Sequence, residues 1–144
     1  VKNLEGTTSE IIEKVYEQHK PEFYFETVEA DLNDADAFKA FTGLDSANKI
    51  SEVSVSEPMM SSQAYSLVMV RVKDAKDAKE VAEAMKAGIN PRKWVCVEAD
   101  DIAAVGYGDV VMFIMVSSDL DSTLSKDMIQ AFKTVCGGTL SFEL

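Results

Sequence analysis

The nine residues "YSLVMVRVK" (Tyr65–Lys73) constrain the fold of this chain more than any other stretch. Side chains of a strand alternate between the two sheet faces, and here both alternating sets are apolar until Arg71. Such a strand is stable only where both faces are covered, so Tyr65–Lys73 is expected in the centre of a sheet. Arg71 interrupts one apolar face and therefore needs a carboxylate partner. The preceding "EPMMSSQ" is a break and a turn: Pro58 cannot donate a ladder hydrogen bond, Met59 and Met60 can cover an irregular edge, and Ser61, Ser62 and Gln63 can satisfy backbone groups.

Other elements can be read around this strand. Thr7-x-x-Glu10 is a capping box, followed by Ile11, Ile12, Val15 and Tyr16 on one helical face and a stop before Pro21. "EFYFETVEA" reads as a strand, and a short helix carrying Phe38 and Phe41 runs from an Asn33 or Asp34 cap to Gly43. "SEVSVSE" alternates strictly, which predicts a half-exposed strand with Ser54 and Ser56 outward. Ala75–Gly88 is the clearest helix, with Ala75, Ala78, Val81, Ala82 and Met85 as its stripe. Trp94–Glu98 reads as a short strand, and Ile102–Val105 and Val110–Val116 flank "GYGD" as a hairpin. A last helix begins at Ser118 or Asp119 and ends at Gly137-Gly138, and "TLSFEL" closes as a strand. The expectation is an α+β fold with a mostly antiparallel, or mixed, sheet and three to four helices. Its element order contains the β-α-β-β-α-β of a ferredoxin-like unit. At 144 residues the chain fits one domain over 9–144 behind a tail or linker over 1–8.

Charge narrows the partners. With 14 basic against 25 acidic residues the net charge is −11, which argues against a nucleic-acid partner. The exception is residues 71–93, where Arg71, Lys73, Lys76, Lys79, Lys86, Arg92 and Lys93 outnumber Asp74, Asp77, Glu80 and Glu83. On the helix these charges read as a solvated face with i,i+3 and i,i+4 pairs. "VVMFIMV" (Val110–Val116) is the longest apolar run and is far short of the roughly 20 residues that a membrane helix needs. Cys96 and Cys136 are too few for a disulfide scaffold; they read as two buried thiols, with a single bridge as the alternative.

Most catalytic and metal chemistries lack their residues. The acidic stretch from Asp31 fails as a calcium loop at Ala35, Asp36 and Thr42, and that from Asp119 fails at Leu124. The lone His19 and the separated cysteines offer no transition-metal ligand set. Ser61 and Ser62 lie in neither G-x-S-x-G nor S-x-x-K, and the glycines form no phosphate loop. No catalytic residue, metal ligand or cofactor site is therefore assigned. Glu57, Asp100, Asp101 and Asp109 fall at strand ends, where a pair of acids could serve hydrolysis. The methionine lip and the cation-plus-aromatic "NPRKW" suit binding better. The candidate ligand surface is thus Met59, Met60, Ser61, Ser62, Gln63, Arg71, Arg92, Lys93 and Trp94, facing a protein or a small anionic or sugar-like ligand.

"EPMMSSQAYSLVMVRVKD" followed by "INPRKWVCVEAD" resembles an uncharacterised family of small exported, lipoprotein-like proteins of Gram-positive bacteria, over about Glu10 to Phe132. The resemblance implies an extracytoplasmic domain held at the membrane through a lipid anchor upstream of Val1, and it implies no activity. Absence of an initiator Met fits an internal start at Val1. The expected function is a non-enzymatic cell-envelope module that binds a protein or small ligand. The alternative is a hydrolase acting on an envelope polymer through strand-end carboxylates.

Overall fold

The structure is a computed structural model that describes residues 4–23, 25–58, 63–92 and 97–144. These form helices α1 (Thr8–Gln18), α2 (Ala35–Thr42), α3 (Ala78–Gly88) and α4 (Leu124–Val135) and strands β1 (Phe25–Glu29), β2 (Ile50–Pro58), β3 (Tyr65–Val72), β4 (Asp101–Tyr107), β5 (Val110–Val116) and β6 (Phe142–Glu143). The strands make one sheet in the order β1-β2-β3-β5-β4-β6, with every neighbouring pair antiparallel. The fold is α+β. Although the β-α-β-β-α-β order is present, β1 and β2 are direct antiparallel neighbours with no strand inserted between them, so the split β-α-β of a ferredoxin-like unit is not made.

β3 and β5 occupy the centre, as their two apolar faces require. Tyr65, Leu67 and Met69 point with Met112, Ile114 and Val116 towards α1 and α4. Val68, Val70 and Val72 point with Val111, Phe113 and Met115 towards α2 and α3. Each such side chain withdrawn from water contributes about 1.5–3 kcal/mol, so pairing of the two strands is enforced from both sides. The ladder runs from Tyr65↔Val116 at one end of the sheet to Arg71↔Val110 at the other.

Local signals act where the chain carries them. The Thr7–Glu10 box is closed in both directions, and the Asp34 carboxylate accepts from Ala37 N at 3.1 Å. Gly43 ends α2 in the left-handed region at φ 77°. Four expectations change. The tail is shorter than residues 1–8, because Leu4 already packs on the core beside α1 and α4. The helix read from Ala75 starts with a 3-10 turn over Ala75–Asp77. α4 starts at Leu124, since Ser117 to Thr123 turn first, with Leu120 N–H donating to Ser117 O at 3.0 Å. Val97 and Glu98 lie outside any strand, while Lys93 to Cys96 fall outside the described residues. The proposed bridge thus cannot be traced from Cys96; Cys136 is a buried free thiol whose pKa burial pushes up to about 12.

Ser54 and Ser56 are the largest surprise: both are fully buried. α1 covers them with its polar edge. Ser54 Oγ lies 2.6 Å from Thr8 Oγ1 and 2.8 Å from Ser9 Oγ. Tyr16 Oη donates to Ser56 Oγ at 2.6 Å and lies 2.9 Å from Tyr65 Oη. With its single proton given to Ser56, Tyr16 must accept from Tyr65. Burial raises the Tyr16 phenol to about 12 and carries that of Tyr65 well above its ordinary value.

Candidate functional site

The two ends of the sheet hold different chemistry. At the Val72 end, Arg71 donates to Asp109 Oδ1 at 2.7 Å, Leu4 O at 2.8 Å and Gly6 O at 2.7 Å, with Glu52 Oε1 3.7 Å from its Nε. The same Glu52 oxygen accepts from Thr8 N at 2.9 Å. Arg71 and Asp109 side chains are only 17% and 12% exposed. Arg71 has found the carboxylates that its place on an apolar face demands, and its remaining donors hold the segment leading into α1. An incoming anion would have to displace these contacts, so Arg71 stands apart from the ligand surface expected of it.

At the Tyr65 end lies a recess of about 460 Å³, within the range of small-ligand pockets. Its described lining combines Ala64, Val97 and Leu120 with Glu98, Asp100, Ser117 and Asp119. Three strand ends create it. Ser117 follows β5 and donates from its backbone to Ala64 O at 2.9 Å, just ahead of β3; Asp100 immediately precedes β4. The Asp100 carboxylate accepts from Ser118 N at 2.7 Å and Ser118 Oγ at 2.6 Å. The bond from the Ser118 side chain, then that from its backbone, lowers the Asp100 pKa and keeps this group ionised. Beside the recess, Arg92 Nε pairs with Glu98 Oε2 at 2.7 Å.

Of the residues expected to form the ligand surface, Gln63 directly precedes the Ala64 wall and Arg92 reaches the recess through Glu98. Met59, Met60, Ser61, Ser62, Lys93 and Trp94 lie outside the described residues. Val97, Glu98, Ser117, Asp119 and Leu120 belong to the recess without having been singled out. The available signal was positional: the acid- and serine-rich "EADD" and "SSDLD" bound adjacent antiparallel strands at the same end, so their loops must meet.

Of the strand-end carboxylates, Glu57 and Asp109 do not form a hydrolytic pair. Ser56 is opposite Leu67 and Arg71 opposite Val110. Glu57 and Asp109 are thus at opposite sheet ends, roughly 20 Å apart by strand rise and spacing, against the about 5–9.5 Å of paired glycosidase acids. Asp101 turns to α4 and accepts from the hydroxyl of the buried Ser125. Among the described residues no group of three or more His, Cys, Asp or Glu side chains could hold a metal ion, and no helix is long and apolar enough to cross a membrane.

No family model matches the chain, and no curated protein or solved structure matches it either. The functional reading therefore rests on the residues themselves.

Proposed function

We propose that this chain is a non-enzymatic binding module of the bacterial cell envelope, taking a small hydroxylated ligand, neutral or cationic, in the recess beside Asp100. The observation that carries this reading is the mixed lining, in which apolar Ala64, Val97 and Leu120 stand among three carboxylates and Ser117. Apolar surface with a few fixed acceptors suits a sugar-like body, whose hydroxyls donate while its ring edges shed water. Three carboxylates repel an anion, and the guanidinium at the rim is already paired with Glu98. The anionic half of the expected ligand class is accordingly set aside for this site.

The envelope assignment rests on the resemblance of the two sequence blocks, and the way the chain enters the fold is compatible with it. Leu4 and Gly6 are held at the Arg71 end, opposite the recess. A tether joined ahead of them would leave from that end and hold the recess outward, about 25 Å away along an eight-residue strand.

Calorimetric titration with three sugars matched in shape tests the reading: glucosamine (cationic), N-acetylglucosamine (neutral) and glucuronate (anionic). Saturable heats for either of the first two, absent for glucuronate and weakened in Asp100→Asn, are expected. Binding of glucuronate alone, or turnover of a chitin oligosaccharide by the chain, would overturn it.

A further inference from the structure

We propose that a second recess, at the opposite end of the sheet, binds a small oxyanion, a phosphate or carboxylate group. This recess of about 270 Å³ lies where the 3-10 turn leading into α3 faces β6 and the β4–β5 hairpin, and it is lined by Lys76, Lys79, Gly108, Ser141 and Phe142 among others.

Charge is the first argument. Both ionisable groups of its lining are lysines, in a chain whose net charge is −11. Three other recesses among the described residues carry acids: three in the candidate site, Glu80 beside Lys49 in a second, and Glu143 beside Lys133 in a third. The pairs expected along α3 do not neutralise these lysines. Glu80 instead reaches Lys49 at 3.0 Å, Lys76 has only Asp74 at 3.5 Å, and Lys79 has no ion pair among the described residues. The basic excess of residues 71–93 thus places beside a concavity one ammonium group, that of Lys79, without an ion pair among the described residues, and a second, that of Lys76, in a long exposed pair with Asp74. Repulsion from the remaining acids is weakened by salt beyond about 10 Å, whereas a bound oxyanion would touch the lysines directly.

Hydrogen bonding is the second argument. Gly108 N–H donates to Ser141 Oγ at 3.2 Å, which leaves the hydroxyl proton free to be donated. Phe142 supplies a fixed wall: a Cβ on Gly106 would stand 2.3 Å from its ring, so ring and backbone are in intimate contact. Two ammonium groups and a hydroxyl that can donate, against an apolar wall and with no carboxylate in the described lining, suit a tetrahedral or planar oxyanion.

Titration of the ¹⁵N-labelled chain with inorganic phosphate, and separately with acetate, at ionic strength held constant with sodium chloride, tests the site. Saturable shifts at Lys79, Gly108, Ser141 and Leu144 amides are expected for at least one anion, and the one that saturates identifies the group recognised. In Lys76→Gln/Lys79→Gln the affinity should fall about ten-fold or more, the worth of charged hydrogen bonds. In Lys133→Gln, beside the neighbouring recess, it should not change. Both lysines of the double variant lie at the surface, and its unperturbed spectrum will show that the fold is retained. Shifts that rise linearly with either anion, map elsewhere, or survive the double substitution would overturn the proposal.

Discussion

On the face covered by α1 and α4, one end of the central sheet is closed and the other is open. At the Val72 end a carboxylate–guanidinium pair, two backbone carbonyls and Glu52 satisfy one another and fasten the entry to α1. At the Tyr65 end, Glu98, Asp100 and Asp119 line a recess, with Asp100 held by two short bonds from Ser118 and Glu98 paired with Arg92. The contrast teaches where each kind of polar group belongs. A charge placed inside an apolar face is stable only when its partners come with it, whereas strand-end acids in contact with water keep lone pairs for a ligand beside the bonds they already accept.

Breaking the closed end should produce the largest effect. Arg71→Ala removes a largely buried charge and strands Asp109 and two carbonyls, so a loss of about 3 kcal/mol is expected in urea denaturation. Sugar binding at the far end should be intact; a loss below about 1 kcal/mol would show that this end is held by something else.

The hydroxyl layer beneath α1 should respond less. Tyr16→Phe deletes the bond to Ser56 and is expected to cost about 1 kcal/mol near neutral pH. Alkali sharpens the comparison. The Tyr16 phenol titrates near 12 in the folded chain but near its ordinary 10.0 when unfolded. Above pH 10 the unfolded state therefore binds fewer protons, and stability must fall as pH rises towards 12, by up to about 1.4 kcal/mol per unit for each such group. Urea midpoints at pH 9 and pH 11 should draw apart less in Tyr16→Phe than in the parent chain. An equal decline in both would mean that the phenol is not shielded.

The open end should show the smallest effect on folding and the largest on binding. Asp100→Asn should leave the urea midpoint unchanged and weaken the uptake of glucosamine. Because the bonds from Ser118 hold the Asp100 pKa below its ordinary 3.8, cation binding should persist as pH falls to that value and fade only beneath it. Ser118→Ala should move that fading to higher pH. Titrations at pH 3 to 6 will decide; no difference between the two chains would remove Asp100 from the site.

Several of these features were legible in the sequence and several were not, for physical reasons. Thr7, Glu10, Asp34 and Gly43 act on backbone groups within a few residues, so short spacing suffices to read them. The two-sided apolar pattern of Tyr65–Val72 likewise implied layers on both faces. Strand order, by contrast, depends on which non-local faces meet, and the β-α-β-β-α-β order served a sheet with β1, β2 and β3 as consecutive neighbours equally well. The burial of Ser54 and Ser56 was hidden because alternation distinguishes polar from apolar and cannot tell water from another element's hydroxyls. The partner need of Arg71 was readable, its identity was not: Asp109 is 38 residues away and Leu4 is 67. The recess was half legible, since Asp100 stood out as a strand-end acid while Ser118, which fixes its charge, looked like a helix start.

Amide mapping of the ¹⁵N-labelled chain during titration with N-acetylglucosamine and glucosamine tests the central claim most directly. The account predicts saturable shifts confined to Ala64, Val97 to Asp100 and Ser117 to Leu120, with the amides around Arg71 and Asp109 unmoved. Shifts clustered at the Arg71 end, or none with either sugar while glucuronate produces them, would contradict it.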